Sequence, residues 1–310
     1  MIITVTPNPA VDKTLFVDRL AIDDVNRYEE TELDPAGKGI NVSRVAHRLG
    51  WPTIAFGFLA GEIGIIAQRA LDNEGVPHQF VPVPGQTRLN VTVVERSKAT
   101  ATSLYGPGPP VASAHLATLE GLIEFWLQAG QVLVLAGSLP PGAPPNLHAT
   151  YIHLAGSKGV KTILDADGDA LRLGVEARPY LIKPNREEAQ RLLGRELPTM
   201  SAVIEGAREL VRSGIAVVVI SMGADGVICA QGDQIWQALP PTVERRSTVG
   251  SGDSLVAGMA VALARGDSIA EGLRLGSAAG AATAMTSGTA LGTADEISAL
   301  LPKVRIQPIP

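Results

Sequence analysis

The sequence is poor in the residues that cross-link a protein or load it with charge of one sign. It has a single cysteine, Cys229, which excludes an intrachain disulfide and any zinc site built on several thiolates. Aromatic residues make up 4% of its 310 positions, so the core must come mainly from Val, Ile, Leu and Ala. Excess positive charge is also missing: 26 Lys and Arg against 31 Asp and Glu leave a formal net charge of −5. Such a chain is a poor binder of nucleic-acid backbones, which require clustered positive charge. An anionic ligand must therefore be held by a local site. No uncharged apolar run reaches the roughly 18 residues of a membrane span. The segment Met1–Lys13 shows no basic leader before an apolar stretch, so neither a membrane anchor nor a secretory signal is expected. With 45% hydrophobic and 18% charged residues, the composition excludes a disordered chain. A cytoplasmic, folded protein is expected.

What is present is organised in two unlike halves. From residue 14 to residue 96 short runs have strand character, at 14–20, 28–33, 53–58 and 88–95. In the last of these Leu89, Val91 and Val93 alternate with Asn90, Thr92 and Val94, the period of a strand with one buried face. Helices are predicted over 38–49 and 63–73, stopped by Gly50 and Gly75. Beyond residue 110 helices alternate with apolar strand-like runs at 132–136, 162–164, 180–182 and 215–221, a pattern that implies βαβ units and a parallel sheet. A hairpin is predicted across 226–237, and small-residue helices over 252–265, 268–286 and 294–301. Length alone allows one large α/β domain or two.

The sharpest chemical signal is Thr248-Val249-Gly250-Ser251-Gly252-Asp253 at the start of a helix. Two glycines one residue apart let backbone amides converge, and a helix N-terminus adds roughly half a positive charge, so the loop suits an anion. Asp253 beside such a hole has the placement of a general base that deprotonates an attacking alcohol. It could equally be a helix-capping residue. The loop is neither a Walker A sequence nor a dinucleotide fingerprint. A second glycine turn, Gly37-Lys38-Gly39 with Asn41 one turn on, permits close backbone approach to a polar ligand. Asp12, expected just after the first strand, could accept sugar hydroxyls. Arg88 and Arg27 could hold phosphate. Asn185 and Glu188 share a helical face and could order the water shell of Mg²⁺, or form a capping box. Ser221, Gly223 and Gly226 follow the β-branched run and could face a nucleotide. The five histidines have no metal-ligand spacing, and Cys229 reads as inert core.

Taken in order, Asp12, the Gly37–Asn41 helix start, Gly137-Ser138-Leu139-Pro140, Lys183-Pro184-Asn185 with Glu188, and Thr248–Asp253 resemble the ribokinase-like (pfkB-type) sugar kinases over essentially the whole chain. The segments Thr4–Asp12, Ala36–Val42 and Thr87–Val91 are most similar to the 1-phosphofructokinase branch. Asp23–Arg27 is shared with tagatose-6-phosphate kinases. The resemblance implies an α/β/α sandwich with a central mostly parallel sheet, one kinase domain over 1–310, and a small β lid at about 12–33 and 88–105. It implies ATP and Mg²⁺, a ketohexose phosphate as acceptor, and a homodimer joined through the lid. Fructose 1-phosphate is the expected acceptor, with tagatose 6-phosphate and fructose 6-phosphate as alternatives within the family. A catalytically silent sensor of sugar phosphate or nucleotide is the alternative outside it. Carried over by position, Asp253 is the base and the amides of Gly250, Ser251 and Gly252 form the anion hole. Asp12, Arg27, Gly37, Lys38, Asn41, Arg88 and Ser138 take the sugar phosphate. Lys183, Asn185, Ser221, Gly223, Gly226 and Thr248 face ATP, and Glu188 faces the metal. Two positions depart from the family pattern: Ser251 stands where Ala is common, and Ala36 where Gly is.

Overall fold

The computed structural model describes residues 1–98 and 100–309. Ala99, within the expected lid segment, and Pro310 lie outside the described residues. The chain begins with β1 (Ile2–Thr6), β2 (Ala10–Val17), β3 (Glu30–Ala36), α1 (Lys38–Arg48), β4 (Thr53–Leu59) and α2 (Gly61–Glu74). It continues with β5 (His78–Pro82), β6 (Arg88–Glu95), β7 (Thr100–Leu104), α3 (Ser113–Trp126), β8 (Val132–Ala136), α4 (Leu147–Ser157) and β9 (Lys161–Asp165). Then come α5 (Gly168–Glu176), β10 (Leu181–Ile182), α6 (Arg186–Leu193), α7 (Met200–Arg212), β11 (Val217–Ser221), β12 (Val227–Gln231) and β13 (Gln234–Leu239). The last elements are α8 (Ser251–Arg265), α9 (Ile269–Ala284), α10 (Ala294–Leu300) and β14 (Arg305–Ile309).

Two sheets result. The large one runs β14-β13-β12-β11-β10-β9-β8-β1-β4-β5. Its strands from β5 to β11 are parallel, and β12, β13 and β14 extend it antiparallel. Successive strand residues face opposite sides of a sheet, and the core divides accordingly. Ile3, Val5, Leu133 and Leu135 pack with α3, α4 and α7 through Leu119, Tyr151 and Val203. Ile2, Val132, Val134 and Ile163 pack with α1, α8 and α9 through Val45, Val256 and Leu273. Helices thus cover both faces, the α/β/α sandwich that the resemblance implied. The strands are apolar on both sides, as a doubly covered parallel sheet requires. On one face, α8 and α9 approach so closely at Gly258 that a side chain there would overlap the backbone of Gly276. That contact explains the small-residue composition of both helices.

The small sheet, β3-β2-β6-β7, is the lid. It begins earlier than expected and ends later on its first limb, spanning Ala10–Ala36. Asp12 is therefore not a turn residue after the first strand. It lies inside β2, opposite Asp34 on β3 and Asn90 on β6. Three elements had no prediction: α5, β5 and β14; β7 falls inside the lid segment that the resemblance implied, though no run of its own marked it as a strand. All five residues of β7 are exposed, so no buried face imposes alternation. β14 is the sheet edge and carries Pro308, which an edge strand tolerates.

Candidate active site

The carboxyl ends of the parallel strands all open on one edge of the sheet. Ligands of open α/β sheets bind there, near the strand where the connections change direction. Here that strand is β1, with β4 on one side and β8 on the other. Asn8 follows β1, Ser138 follows β8, Asp165 ends β9 and Lys183 follows β10. The N-termini of α1 and α8 meet at the same edge, where Asn41 in the first turn of α1 bonds Asp253 in the first turn of α8.

Asp253 lies in the first turn of α8 and is 8% exposed. It does not cap the helix: the capping position is Gly250, at φ 77°, and no side chain makes a capping bond there. Asn41 Nδ2 donates to Asp253 Oδ2 at 2.8 Å. Burial pushes the Asp253 carboxyl up, as does the like charge of Asp165. The Asn41 hydrogen bond, then Lys38 and Lys183, pull it back, and it settles at about 6. A carboxyl poised near 6 is ionised at neutral pH yet basic enough to take a proton.

Beside it lies an ion triad that the sequence reading did not single out. Asp165, 1% exposed, binds Lys38 Nζ at 2.8 Å through one oxygen and Lys183 Nζ at 3.3 Å through the other. Burial opposes its charge, but Lys183 and Lys38 outweigh burial and hold its pKa below the ordinary value. For Lys38 burial likewise works against the charge, and Asp165, Glu188 and Asp253 more than offset it, so the ammonium is held above its usual value. Lys183 reaches Gly252: a Cβ added to that glycine would lie 3.5 Å from Lys183 Nζ. Two ammonium groups and the amide end of α8 therefore converge on one point. Asp165 was missed because an aspartate that ends a short apolar strand carries no local motif.

A second cluster lies where the lid meets β1 and β8. Arg88 Nη2 donates to the Asn8 carbonyl at 2.9 Å, and Asn8 Nδ2 donates to Ser138 Oγ at 3.3 Å. Asn90 Nδ2 donates to Asp12 Oδ1 at 2.8 Å. Burial raises the Asp12 pKa, and the Asn90 bond and the Arg88 charge reduce that rise without cancelling it. Asn8, Arg88 and Ser138 line a cavity of 480 Å³ with Pro140 and Gly142. At Gly37, φ 131° and a close approach to Thr6 both require glycine. Thr6 Oγ1, Asn8 Oδ1, Asn90 Oδ1, Arg88 Nε and Ser251 Oγ are buried with no hydrogen-bond partner among the described residues. Buried polar groups are seldom left so, and these five line the segments predicted to take a polar ligand.

Other predicted residues sit differently. Arg27 is exposed in the loop between β2 and β3 and makes no ion pair among the described residues, so this chain does not bring it to either cluster. Asn185 and Glu188 form the capping box of α6: Asn185 Oδ1 accepts from the Glu188 amide and Glu188 Oε2 from the Asn185 amide, both at 2.8 Å. The other Glu188 oxygen makes no hydrogen bond among the described residues, so the capping box leaves it for a metal's water shell. Ser221 ends β11 beside Asn185. Gly226 has to be glycine for packing, because a side chain would strike the Ala238 carbonyl of β13. Gly223 and Thr248 are not buried, at φ 58° and in the loop before α8 respectively. His148 is buried and neutral, its pKa pushed down to about 4 by burial, and Cys229 is raised to about 12 by the same cause. Both are core residues.

The Asn41 contact yields a pH prediction. Asp253 acts as a base only when ionised. Below about 6 kcat/KM should fall about tenfold per pH unit, and above it level off. Asn41→Ala removes a bond that favours the ionised form, so the acid limb should move to higher pH. A limb that stays in place would show that it reports some other group.

The family model "pfkB family carbohydrate kinase" matches residues 6–296. A 1-phosphofructokinase of Vibrio cholerae is 35% identical over 305 residues, covering 98% of this chain and 96% of the relative. The 1-phosphofructokinase of Escherichia coli K12 is also 35% identical, covering 98% and 97%. Among solved structures, phosphofructokinase-2 from Escherichia coli in complex with substrates and products superposes with a TM-score of 0.93 at 31% identity, covering 97% of this chain and 98% of that one.

Proposed function

The chain belongs to the pfkB family of carbohydrate kinases, and from that premise we propose that it transfers the terminal phosphoryl group of ATP to fructose 1-phosphate. The products are fructose 1,6-bisphosphate and ADP. The observation that carries the reading is Asp253, a buried carboxyl with a pKa of about 6 at the amide end of α8, flanked by Lys38 and Lys183. Asp253 takes the proton of the C6 hydroxyl as that oxygen bonds to phosphorus and the bond to the ADP oxygen breaks. The amides of Gly250, Ser251 and Gly252, with the two ammonium groups, meet the charge on the transferring group. Phosphoryl transfer depends mainly on such positioning and electrostatics. Because the protein carries a net charge of −5, two anionic substrates must be neutralised by local cations such as these and not by the protein's overall field.

The Arg88–Asn8–Ser138 cluster supports an acceptor that carries its own phosphate, held apart from the reacting hydroxyl. Asp12 and Asn90 offer partners for sugar hydroxyls. The residues fit a magnesium that rides on the triphosphate. Glu188 has one free carboxylate oxygen, and among the described residues no group of three His, Cys, Asp or Glu side chains forms a cage. Mg²⁺ usually keeps several waters rather than taking an all-protein cage. When bound it neutralises phosphate charge, and Glu188 would hold it through water.

The lid face that carries Leu33 and Leu104, 51% and 65% exposed on its two edge strands, supports a homodimer joined there. Exposed apolar patches of that kind mark interaction surfaces. Among the described residues no helix is long and apolar enough to cross a membrane, and the reading is of a cytoplasmic enzyme. The structural likeness to phosphofructokinase-2 favours fructose 6-phosphate as the second reading. The test is ADP release with MgATP and, in separate assays, fructose 1-phosphate, fructose 6-phosphate and tagatose 6-phosphate. The proposal expects kcat/KM for fructose 1-phosphate to exceed the other two at least tenfold. Preference for another acceptor overturns the substrate, and no ADP from any of them overturns the activity.

A further inference from the structure

We propose that Thr289, in the turn between α9 and α10, is a positioning residue that ties lid strand β3 to the anion hole, so that the acceptor side and the donor side of the site are set together. This inference rests on the phosphotransfer reading above.

The turn touches both sides. Towards the lid, Thr289 Oγ1 donates to Asp34 Oδ2 at 2.7 Å, and Ser287 Oγ donates to Glu32 Oε1 at 3.3 Å. Asp34 is the direct cross-strand neighbour of Asp12, which belongs to the proposed acceptor cluster. Gly288 lies against Glu32 so tightly that a side chain there would overlap the carboxylate. Towards the hole, Ser247 Oγ donates to the Gly288 carbonyl at 2.6 Å. Two residues past Thr289, Leu291 is 3% exposed, and a Cβ on Gly250 would lie 2.8 Å from Leu291 Cδ2. Leu291 is therefore the surface on which Gly250 rests. Arg48 Nη1 fixes the far end by donating to the Leu291 carbonyl at 2.6 Å.

These contacts form one unbroken series from Asp12 through Asp34, Thr289 and Leu291 to Gly250. None of the side chains in the turn reaches the reacting atoms. Their effect must run through the placement of the hole, where a small displacement is costly to catalysis. A Thr289 whose only task is to fasten a surface turn would matter for stability and not for turnover. Its hydrogen bond goes to a side-chain carboxyl oxygen at 2.7 Å. It is also 7% exposed, so solvent does not readily replace it.

The experiment compares Thr289→Val, Thr289→Ser and Asp34→Ala with wild type in the full chain. Each is measured by steady-state kinetics with MgATP and fructose 1-phosphate, thermal melting, and amide hydrogen exchange. Thr289→Val keeps the shape and loses the donor. Its kcat should fall about tenfold, the size expected for a lost hydrogen bond to a charged group, with KM for ATP unchanged. Thr289→Ser should recover most of the loss. The double variant Thr289→Val/Asp34→Ala should lose no more turnover than the more impaired single variant, as two ends of one contact require. Exchange over residues 247–252 should quicken in Thr289→Val while the β12–β13 hairpin is unchanged. This readout needs no turnover, so it still tests the coupling if wild type phosphorylates none of the three acceptors and the functional reading fails instead. Normal kcat in Thr289→Val, or exchange over 247–252 equal to wild type, would overturn the inference.

Discussion

Asp253→Asn should bind MgATP nearly as wild type does and lose about 10²–10⁴-fold in turnover, the range for removing a general base. The substitution is nearly isosteric. Its amide oxygen can still accept from Asn41 Nδ2, which sits 2.8 Å from the carboxylate in wild type. Helix α8 should hold, because Asp253 supplies no capping bond to it. The loss should therefore appear in kcat and not in melting temperature. The variant also removes an ionisable group whose charged form is disfavoured by burial, so its stability at neutral pH should not fall. Turnover within a few-fold of wild type would remove Asp253 from the mechanism and return it to a packing role.

Asp165→Asn should have the largest effect on stability. The carboxylate is 1% exposed and binds two ammonium groups, of which Lys183 is 6% exposed. Removing the shared anion leaves two cations facing each other in a site with little water. Breaking a buried pair in this way costs about 3–5 kcal/mol, enough to lower the melting temperature by at least about 5 °C. The pH dependence has a definite sign. The folded-state pKa of Asp165 lies below its ordinary value, so its stabilisation is present above the unfolded pKa and is lost as pH falls through the folded one. Wild type and variant should therefore differ most near neutrality and converge in strong acid. Turnover should drop as well, since Lys38 and Lys183 lose the anchor that aims them at Gly252. A melting curve that matches wild type at pH 7 would show that the lysines find other partners.

Much of the fold was legible along the chain, for local reasons. β8 falls on its predicted residues, Val132–Ala136, because a closed apolar run defines it, and α6 (Arg186–Leu193) opens on the capping box that the spacing of Asn185 and Glu188 allowed. Gly75 stops α2 in the left-handed conformation, as its place after the periodic residues required. The anion-hole loop and Asp253 were legible because glycine spacing and a helix start lie within a few residues of each other. The elements that escaped are those without a local signature. β7 has no buried face, and α5 opens on Asp167-Gly168, which reads as a turn. Asp12 was placed just after the first strand and at the start of the lid, which begins two residues earlier, because nothing in Asn8-Pro9-Ala10 says that a second sheet starts there.

By itself, then, the sequence determined the alternation of strands and helices that makes a layered α/β fold and the two glycine turns, and it marked Asp253 as the candidate base, each from residues close together along the chain. The tertiary structure alone decided what surrounds that base. Asp165 comes from the end of β9, Lys183 from the end of β10 and Lys38 from the start of α1, and they meet only because parallel strands end on one edge of the sheet. Folding also decided between readings that spacing had left open: it joined Asn185 and one oxygen of Glu188 in a helix cap and left Arg27 in solvent. Thr289 acquires its place in the same way, since a sequence separation of 255 between it and Asp34 is bridged by the fold. A contact that distant leaves no periodicity or spacing in the sequence, because its cause is the packing of the α9–α10 turn against the small sheet.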